Sequence, residues 1–192
     1  MDKDKKLQLT KEKLLDSTFS LMEETDDPLN VTSRQIASYA GVKPSMINYC
    51  FGSRENLIYQ VFNSRYLSFL DNSKIKRIIS SELPPAEILK KLHYSVAEVL
   101  ISNPKFTKAI TPFVLFKRDL SKESASYPYV YRHYDGTKSE AECRLIAYEL
   151  STMMQLIICR KDDIKANFGI NLDNKKELKK YIDMRIDLLL AK

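Results

Sequence analysis

Glycine is scarce in this sequence, with only 4 in 192 residues, whereas an average protein contains about 7% glycine. Nucleotide-binding loops need clustered glycines so that the backbone can approach phosphate, and the four glycines here lie far apart. They are Gly41, Gly52, Gly136 and Gly169. Sandwiches and barrels also use glycine at their tight turns. The scarcity therefore argues against both of these fold classes and favours an all-α protein.

Other absences narrow the class further. The three cysteines are odd in number and form no C-x-x-C pair, so neither a disulfide framework nor a zinc site is indicated. His93 and His133 lie far apart without ligand-type neighbours, and we expect no metal and no cofactor. The charged amino terminus is followed by no apolar segment, and the longest apolar-leaning run, Leu150 to Cys159, is shorter than the roughly 20 residues of a membrane span. We therefore expect a soluble, cytoplasmic protein without membrane contact.

The net charge is +6, from 31 Lys and Arg against 25 Asp and Glu, which on its own suggests an anionic partner. The excess of basic over acidic side chains lies entirely outside the first 66 residues, although the candidate nucleic-acid-binding pattern lies within them. Residues 1–66 contain 9 basic and 9 acidic side chains, and residues 67–192 contain 22 and 16. The informative feature is local, because residues 30–54 contain no acidic side chain and three basic ones, Arg34, Lys43 and Arg54.

Helix signals follow one another in the first third of the chain. An apolar stripe at three- and four-residue spacing predicts a helix from Leu9 to Glu24. A Thr-x-x-Gln capping box at Thr32 predicts a second helix, and Gly41 is placed to end it in a left-handed conformation. A third helix is predicted to have Pro44 as its first residue, and Ser53 is a cap for a fourth.

The remaining two thirds also read as helices. One helix is predicted beyond Pro84-Pro85. Asn103 is predicted to be the N-cap of the next helix and Pro104 its first residue. Residues 121–138 are predicted to form a loop or a broken helix. A Ser-x-x-Glu capping box predicts a helix from Ser139 to about Asn167, and an Asn-x-x-Glu pattern at Asn174 predicts another to the end.

Residues 31–54 carry the most informative pattern, two short helices separated by a tight turn, which is the helix-turn-helix arrangement. The leading end of the second helix is polar, basic or small, as binding in a major groove requires, and its back face is apolar. Side chains at the start of the first helix and after the second are placed to hold phosphates. The candidate DNA-binding residues are Thr32, Arg34, Lys43, Pro44, Ser45, Met46, Tyr49 and Arg54.

This segment resembles the amino-terminal domain of the tetracycline-repressor-like (TetR) family of transcription regulators. The likeness covers about residues 11–61. It depends on Thr32-x-x-x-Ile36-Ala37-x-x-Ala40-Gly41-Val42 and on Ile47-x-Tyr49-x-Phe51-Gly52-Ser53-Arg54-x-x-Leu57. The chain departs from the family's common residues at Lys43, Asn48, Cys50 and Arg54. At the last of these positions Arg54 replaces the family's usual lysine, and its positive charge can still bind a phosphate.

The resemblance implies an all-α homodimer: an amino-terminal three-helix bundle containing the helix-turn-helix, residues 1–54, and a larger helical domain for effector binding and dimerisation, residues 55–192. It also implies an effector pocket among the central helices, with Phe113, Phe116 and Tyr131 as candidate lining residues. The last two helices are implied to build the dimer interface. Its candidate residues are Leu145, Met153, Leu156, Tyr181, Ile182 and Ile186.

The expected function is a ligand-responsive regulator, a repressor that a small-molecule effector releases from a near-palindromic double-stranded DNA operator. The alternative is a helical small-molecule or acyl-chain binding protein whose helix-turn-helix is vestigial, which the aromatic-rich central half favours. Ser102-x-x-Lys105 matches a serine-nucleophile pattern, but the intervening Asn103-Pro104 is a helix cap. We therefore expect no enzymatic activity.

Overall fold

A computed structural model of the chain describes residues 3–26, 30–67, 73–121 and 124–191. These residues are largely helical and include no strand, which confirms the all-α fold class. The helices are α1 Lys3–Glu24, α2 Ser33–Tyr39, α3 Ser45–Phe51, α4 Arg54–Phe62, α5 Ser73–Ile79, α6 Pro85–Ser102, α7 Pro104–Phe116, α8 Tyr127–Tyr134, α9 Glu140–Cys159, α10 Lys161–Phe168 and α11 Lys175–Leu189. None of the helices described is both long and apolar enough to cross a lipid bilayer.

The chain packs as two compact units. The amino-terminal unit comprises Met1–Ser68 together with Asn103–Phe116, and the carboxyl-terminal unit comprises Phe69–Ser102 together with Lys117–Lys192. Helices α4 and α7 therefore pack with the helix-turn-helix. From the sequence we predict a DNA-binding domain that ends at residue 54 and an effector-binding and dimerisation domain that begins at residue 55. This boundary concerns function, not packing, and it stays a prediction.

The core of the amino-terminal unit is formed by the apolar stripes of its helices. Helix α4 packs against α1, α3 and α7, and a π-helical turn, Asn63–Leu67, continues it. Complete burial of one such side chain is worth about 1.5–3 kcal/mol before the entropy of ordering is subtracted. The largest fully buried side chains of this unit are Leu14, Met22, Ile36, Ile47, Leu57, Ile58, Phe62, Phe106 and Ile110.

Local capping chemistry sets where α2 and α4 begin. The Thr32 Oγ1 accepts from the Gln35 backbone N–H at 3.2 Å, and the Gln35 Oε1 accepts from the Thr32 N–H at 2.8 Å. This confirms the predicted capping box. The Ser53 hydroxyl accepts from the Asn56 N–H at 3.0 Å, which confirms that cap as well. Pro44 precedes the first residue of α3 as its N-cap, so its predicted placement as the first helical residue is off by one.

The carboxyl-terminal unit is built around α6, which packs against α5, α8, α9 and α11. The predicted capping box at Ser139 is present, because its hydroxyl accepts from the Glu142 N–H and the Glu142 carboxylate accepts from the Ser139 N–H. At the start of α11 the Asn174 side chain accepts from two backbone N–H groups. The Glu177 carboxylate there accepts from the Asn171 N–H at 2.7 Å instead of completing a box.

Several helix boundaries differ from the sequence-based prediction. Helix α1 begins at Lys3 and not Leu9, because the lysines and glutamine of this stretch are good helix formers without an apolar stripe. The helix predicted to reach Asn167 breaks at Arg160, whose φ is −103° and ψ is 18°. Of the alternatives for residues 121–138, the broken helix is correct, since α8 lies there.

Candidate nucleic-acid interface

The turn between α2 and α3 is held by backbone hydrogen bonds. Gly41 has a φ of +65°, which a residue with a side chain adopts only with strain. Its conformation lets the Val42 N–H donate to the Ala37 carbonyl at 2.9 Å and its own N–H to the Ser38 carbonyl at 3.1 Å. The Met46 N–H donates to the Lys43 carbonyl at 2.9 Å and so begins α3. The turn fixes the direction in which α3 leaves α2.

Helix α3 has one buried face and one exposed face. Ile47 is fully buried and Phe51 nearly so, four residues apart on the side that packs against α4. Ser45, Asn48 and Tyr49 are exposed, and Tyr49 keeps 66% of its surface in contact with solvent. A tyrosine this exposed gains little from packing within the chain. The exposed face of α3 therefore presents a hydroxyl, an amide and a phenol to a partner.

The structure brings most of the candidate DNA-binding residues together around α3. Lys43, Pro44 and Ser45 are exposed in and after the turn, and Met46 is half-buried. Thr32 and Arg34 are exposed at the start of α2. The Thr32 hydroxyl lies 2.8 Å from the Gln35 Oε1, so its first role is to cap the helix.

Arg54 has a second role that the sequence did not reveal. Its guanidinium Nη1 donates to the Val31 carbonyl at 2.5 Å, and its Nε lies 3.3 Å from the Glu55 Oε1. The side chain is three-quarters buried. Arg54 thus joins the first turn of α4 to the segment before α2 and orders the helix-turn-helix. Its assignment as a phosphate clamp stays a prediction.

Asn48 and Tyr39 are not among the candidate DNA-binding residues predicted from the sequence. Asn48 lies on the exposed face of α3, and an asparagine amide can pair with the N6 and N7 atoms of adenine. Tyr39, at the end of α2, donates its hydroxyl proton to the Glu24 Oε1 at 3.1 Å, and this hydrogen bond raises the pKa of the Tyr39 phenol. The helical spacing from Tyr49 and Ser45 was the signal that could have identified Asn48.

Cys50 follows Tyr49 on α3. Its thiol is half-buried on α3, and burial raises its pKa, although the charge of Lys11 opposes the shift. A raised pKa lowers the population of thiolate, which is the reactive form.

The three candidate effector-pocket residues lie in different surroundings. Phe113 is buried in the amino-terminal unit with its ring 5.0 Å from that of Tyr59, and Phe116 at the end of α7 is 82% exposed. Tyr131 is on α8 of the carboxyl-terminal unit, with its ring 5.9 Å from that of Tyr127. A cleft of about 240 Å³ in that unit is lined by other residues: Arg118, Leu120, Ser124, Tyr127, Arg144, Leu145 and Tyr148.

The candidate dimer residues divide between surface and core. Leu145 is exposed, whereas Met153, Leu156 and Tyr181 are half-buried. Ile182 and Ile186 are 3% and 1% exposed, because their face of α11 packs within the carboxyl-terminal unit. The exposed apolar side chains of α11 are instead Met184 and Leu188. The dimer interface stays a prediction, and Ile182 and Ile186 have little surface left to contribute to it.

No family model matches this chain, and no curated protein is significantly similar to it.

Proposed function

We propose that the chain is a dimeric, ligand-responsive repressor of the TetR type that binds a near-palindromic operator through α3. The observation that carries the proposal is the two-faced character of α3. Ile47 and Phe51 anchor the helix in the core, while Tyr49 and Ser45 are exposed on its other side. A short helix supported in this way is the element that helix-turn-helix proteins place in a major groove.

The charges around α3 support an anionic partner. The sequence has no carboxylate between residues 30 and 54. Arg34 and Lys43 are exposed, and within the described part of the chain neither forms an ion pair. Binding a phosphate would therefore cost neither residue an existing salt bridge. Phosphate contacts of this kind set the orientation of a protein on DNA, while side chains on α3 read base edges.

A dimer would place two copies of α3 in successive major grooves, about 34 Å apart. An effector lowers DNA affinity if it binds more tightly to a dimer whose two α3 helices are spaced differently. The free energy of DNA binding that is lost equals the difference between the effector's binding free energies for the two forms of the dimer.

The test is a DNA-binding titration over a range of salt concentrations, with the DNA upstream of the chain's own gene as the probe. Lys43→Gln removes one phosphate contact per subunit, so the slope of log affinity against log salt should become shallower by about 1.8 for a dimer. Tyr49→Ala removes no charge, and it should weaken binding without changing that slope.

Lys176→Gln is the matched control, because Lys176 is exposed on α11 in the other unit. Identical slopes for Lys43→Gln, Lys176→Gln and the unmodified chain would show that Lys43 does not contact a phosphate. Failure to bind any genomic fragment, together with tight binding of a small molecule, would instead favour a ligand-binding protein with a vestigial helix-turn-helix.

A further inference from the structure

We propose that the cleft of the carboxyl-terminal unit binds a small organic carboxylate, with Arg118 as its anion-binding residue. The cleft lies between the segment that follows α7, the start of α8 and the first half of α9. All of its lining residues belong to the carboxyl-terminal unit. The proposal is therefore independent of DNA binding by α3.

The size and walls of the cleft suit a ligand with one apolar ring. Its volume of about 240 Å³ exceeds the roughly 150 Å³ that accommodates benzene and is below the range of drug-sized pockets, about 300–1,000 Å³. Leu145 is also a candidate dimer residue, so in the proposed dimer the cleft would border the interface. Within one subunit Leu120 and Leu145 are 68% and 58% exposed, and the rings of Tyr127 and Tyr148 complete the walls of the cleft. A bound apolar ring would remove these leucine side chains from water.

The charge of the lining selects an anion. Among the described residues that line the cleft, two carry a guanidinium group and none carries a carboxylate. Arg144 already pairs with Glu140 at 2.7 Å and stacks over Tyr127, its guanidinium carbon 5.3 Å from the ring centre. Arg118 differs, because among the described residues it has no carboxylate partner. Its hydrogen bond to the Ser151 Oγ is long, at 3.5 Å.

Arg118 is also held in place for binding. Its guanidinium carbon lies 5.8 Å from the centre of the Tyr148 ring, and the side chain is half-buried. A guanidinium stacked on an aromatic ring still presents its planar edge, which matches the two oxygens of a carboxylate. Because the stacking restricts the side chain beforehand, a ligand pays less entropy to order it.

The test uses three probes, namely benzoate, benzyl alcohol and inorganic phosphate, in calorimetric or NMR titrations of the full chain. Benzoate has both the ring and the carboxylate, benzyl alcohol lacks the charge, and phosphate lacks the ring. Benzoate should bind at one saturable site, and the other two probes about tenfold more weakly or less. Arg118→Gln should lower benzoate affinity about tenfold or more, and Arg118→Lys should give an intermediate value.

Arg132→Gln is the matched control, since Arg132 is exposed on α8 outside the cleft and its loss should leave benzoate affinity unchanged. Equal affinity of benzoate for the unmodified chain and Arg118→Gln would overturn the proposal. Equal binding of benzoate and benzyl alcohol to the unmodified chain, or no saturable benzoate site, would also overturn it. The probe comparison decides the question even if Arg118→Gln fails to fold.

Discussion

Acidification is expected to destabilise the carboxyl-terminal unit through one buried histidine. His93 lies on α6 with 6% of its surface exposed, and its Nε2 is 2.9 Å from the Ser126 Oγ. Burial disfavours the charged imidazolium and lowers the pKa of His93 from 6.5 to about 4. The folded chain therefore keeps this side chain neutral at a pH where the unfolded chain protonates it.

The sign and size of the effect follow from proton linkage. Because the folded-state pKa is depressed, the unfolded state binds more protons between about pH 6.5 and about pH 4. The free energy of unfolding therefore falls as the pH falls through this window. The pKa difference corresponds to a loss of about 3 kcal/mol, a large fraction of the stability of a typical domain.

The assay is urea unfolding followed by far-UV circular dichroism, for the unmodified chain and for His93→Gln, between about pH 7 and about pH 4. Glutamine cannot titrate but can still hydrogen-bond to Ser126. Carboxylates titrate in both proteins, so the difference in unfolding free energy between them isolates His93. That difference should favour the unmodified chain most at neutral pH and shift by about 3 kcal/mol toward His93→Gln on acidification.

Ser126→Ala serves as the control, because it removes the hydrogen-bonding partner of His93 and leaves the histidine able to titrate. This variant should keep most of the pH dependence. A free-energy difference between the unmodified chain and His93→Gln that stays constant with pH would refute the assignment of a depressed pKa to His93.

Three further predictions concern the helix-turn-helix, and thermal unfolding checks each of them. Thr32→Ala removes the capping box of α2 and should cost about 1 kcal/mol, whereas Ser38→Ala, an exposed change within the same helix, should be neutral within about 0.5 kcal/mol; equal costs would contradict the capping argument. Arg54→Ala should destabilise the chain by about 1–3 kcal/mol, because the buried Val31 carbonyl loses a charged donor, and an unchanged midpoint would show that this bond contributes nothing. In Gly41→Ala the new methyl group has open space, but the alanine must adopt a φ of +65°. The backbone alone should therefore lower the free energy of unfolding by about 1–2 kcal/mol. An unchanged free energy of unfolding would mean that the turn relaxes.

The parts of the fold that sequence could predict are those governed by neighbouring residues. The capping boxes at Thr32 and Ser139 were predicted correctly because the side chain and the backbone N–H that it caps are three residues apart. The buried face of α3 was also predictable, since Ile47 and Phe51 are spaced by about one helical turn. These signals need no knowledge of tertiary structure.

Contacts between distant residues were not predictable in this way. The Arg54 to Val31 hydrogen bond spans 23 residues, and nothing in either local sequence marks it. The apolar stripe on α11 indicates a buried face but not what buries it. Ile182 and Ile186 are candidate dimer residues by sequence, and in the structure they pack within their own unit. The cleft draws its lining from residues between 118 and 148, and only folding brings them together.

The central claim is that α3 binds in the major groove of DNA as part of a dimer. Protection of guanine N7 from methylation tests it most directly, because N7 lies in the major groove. The account predicts two protected patches on the operator, with centres one helical turn of DNA apart, about 10–10.5 base pairs, and loss of both patches in Tyr49→Ala at the same protein concentration. No protection at any concentration that retards the DNA, or protection that persists unchanged in Tyr49→Ala, would contradict it.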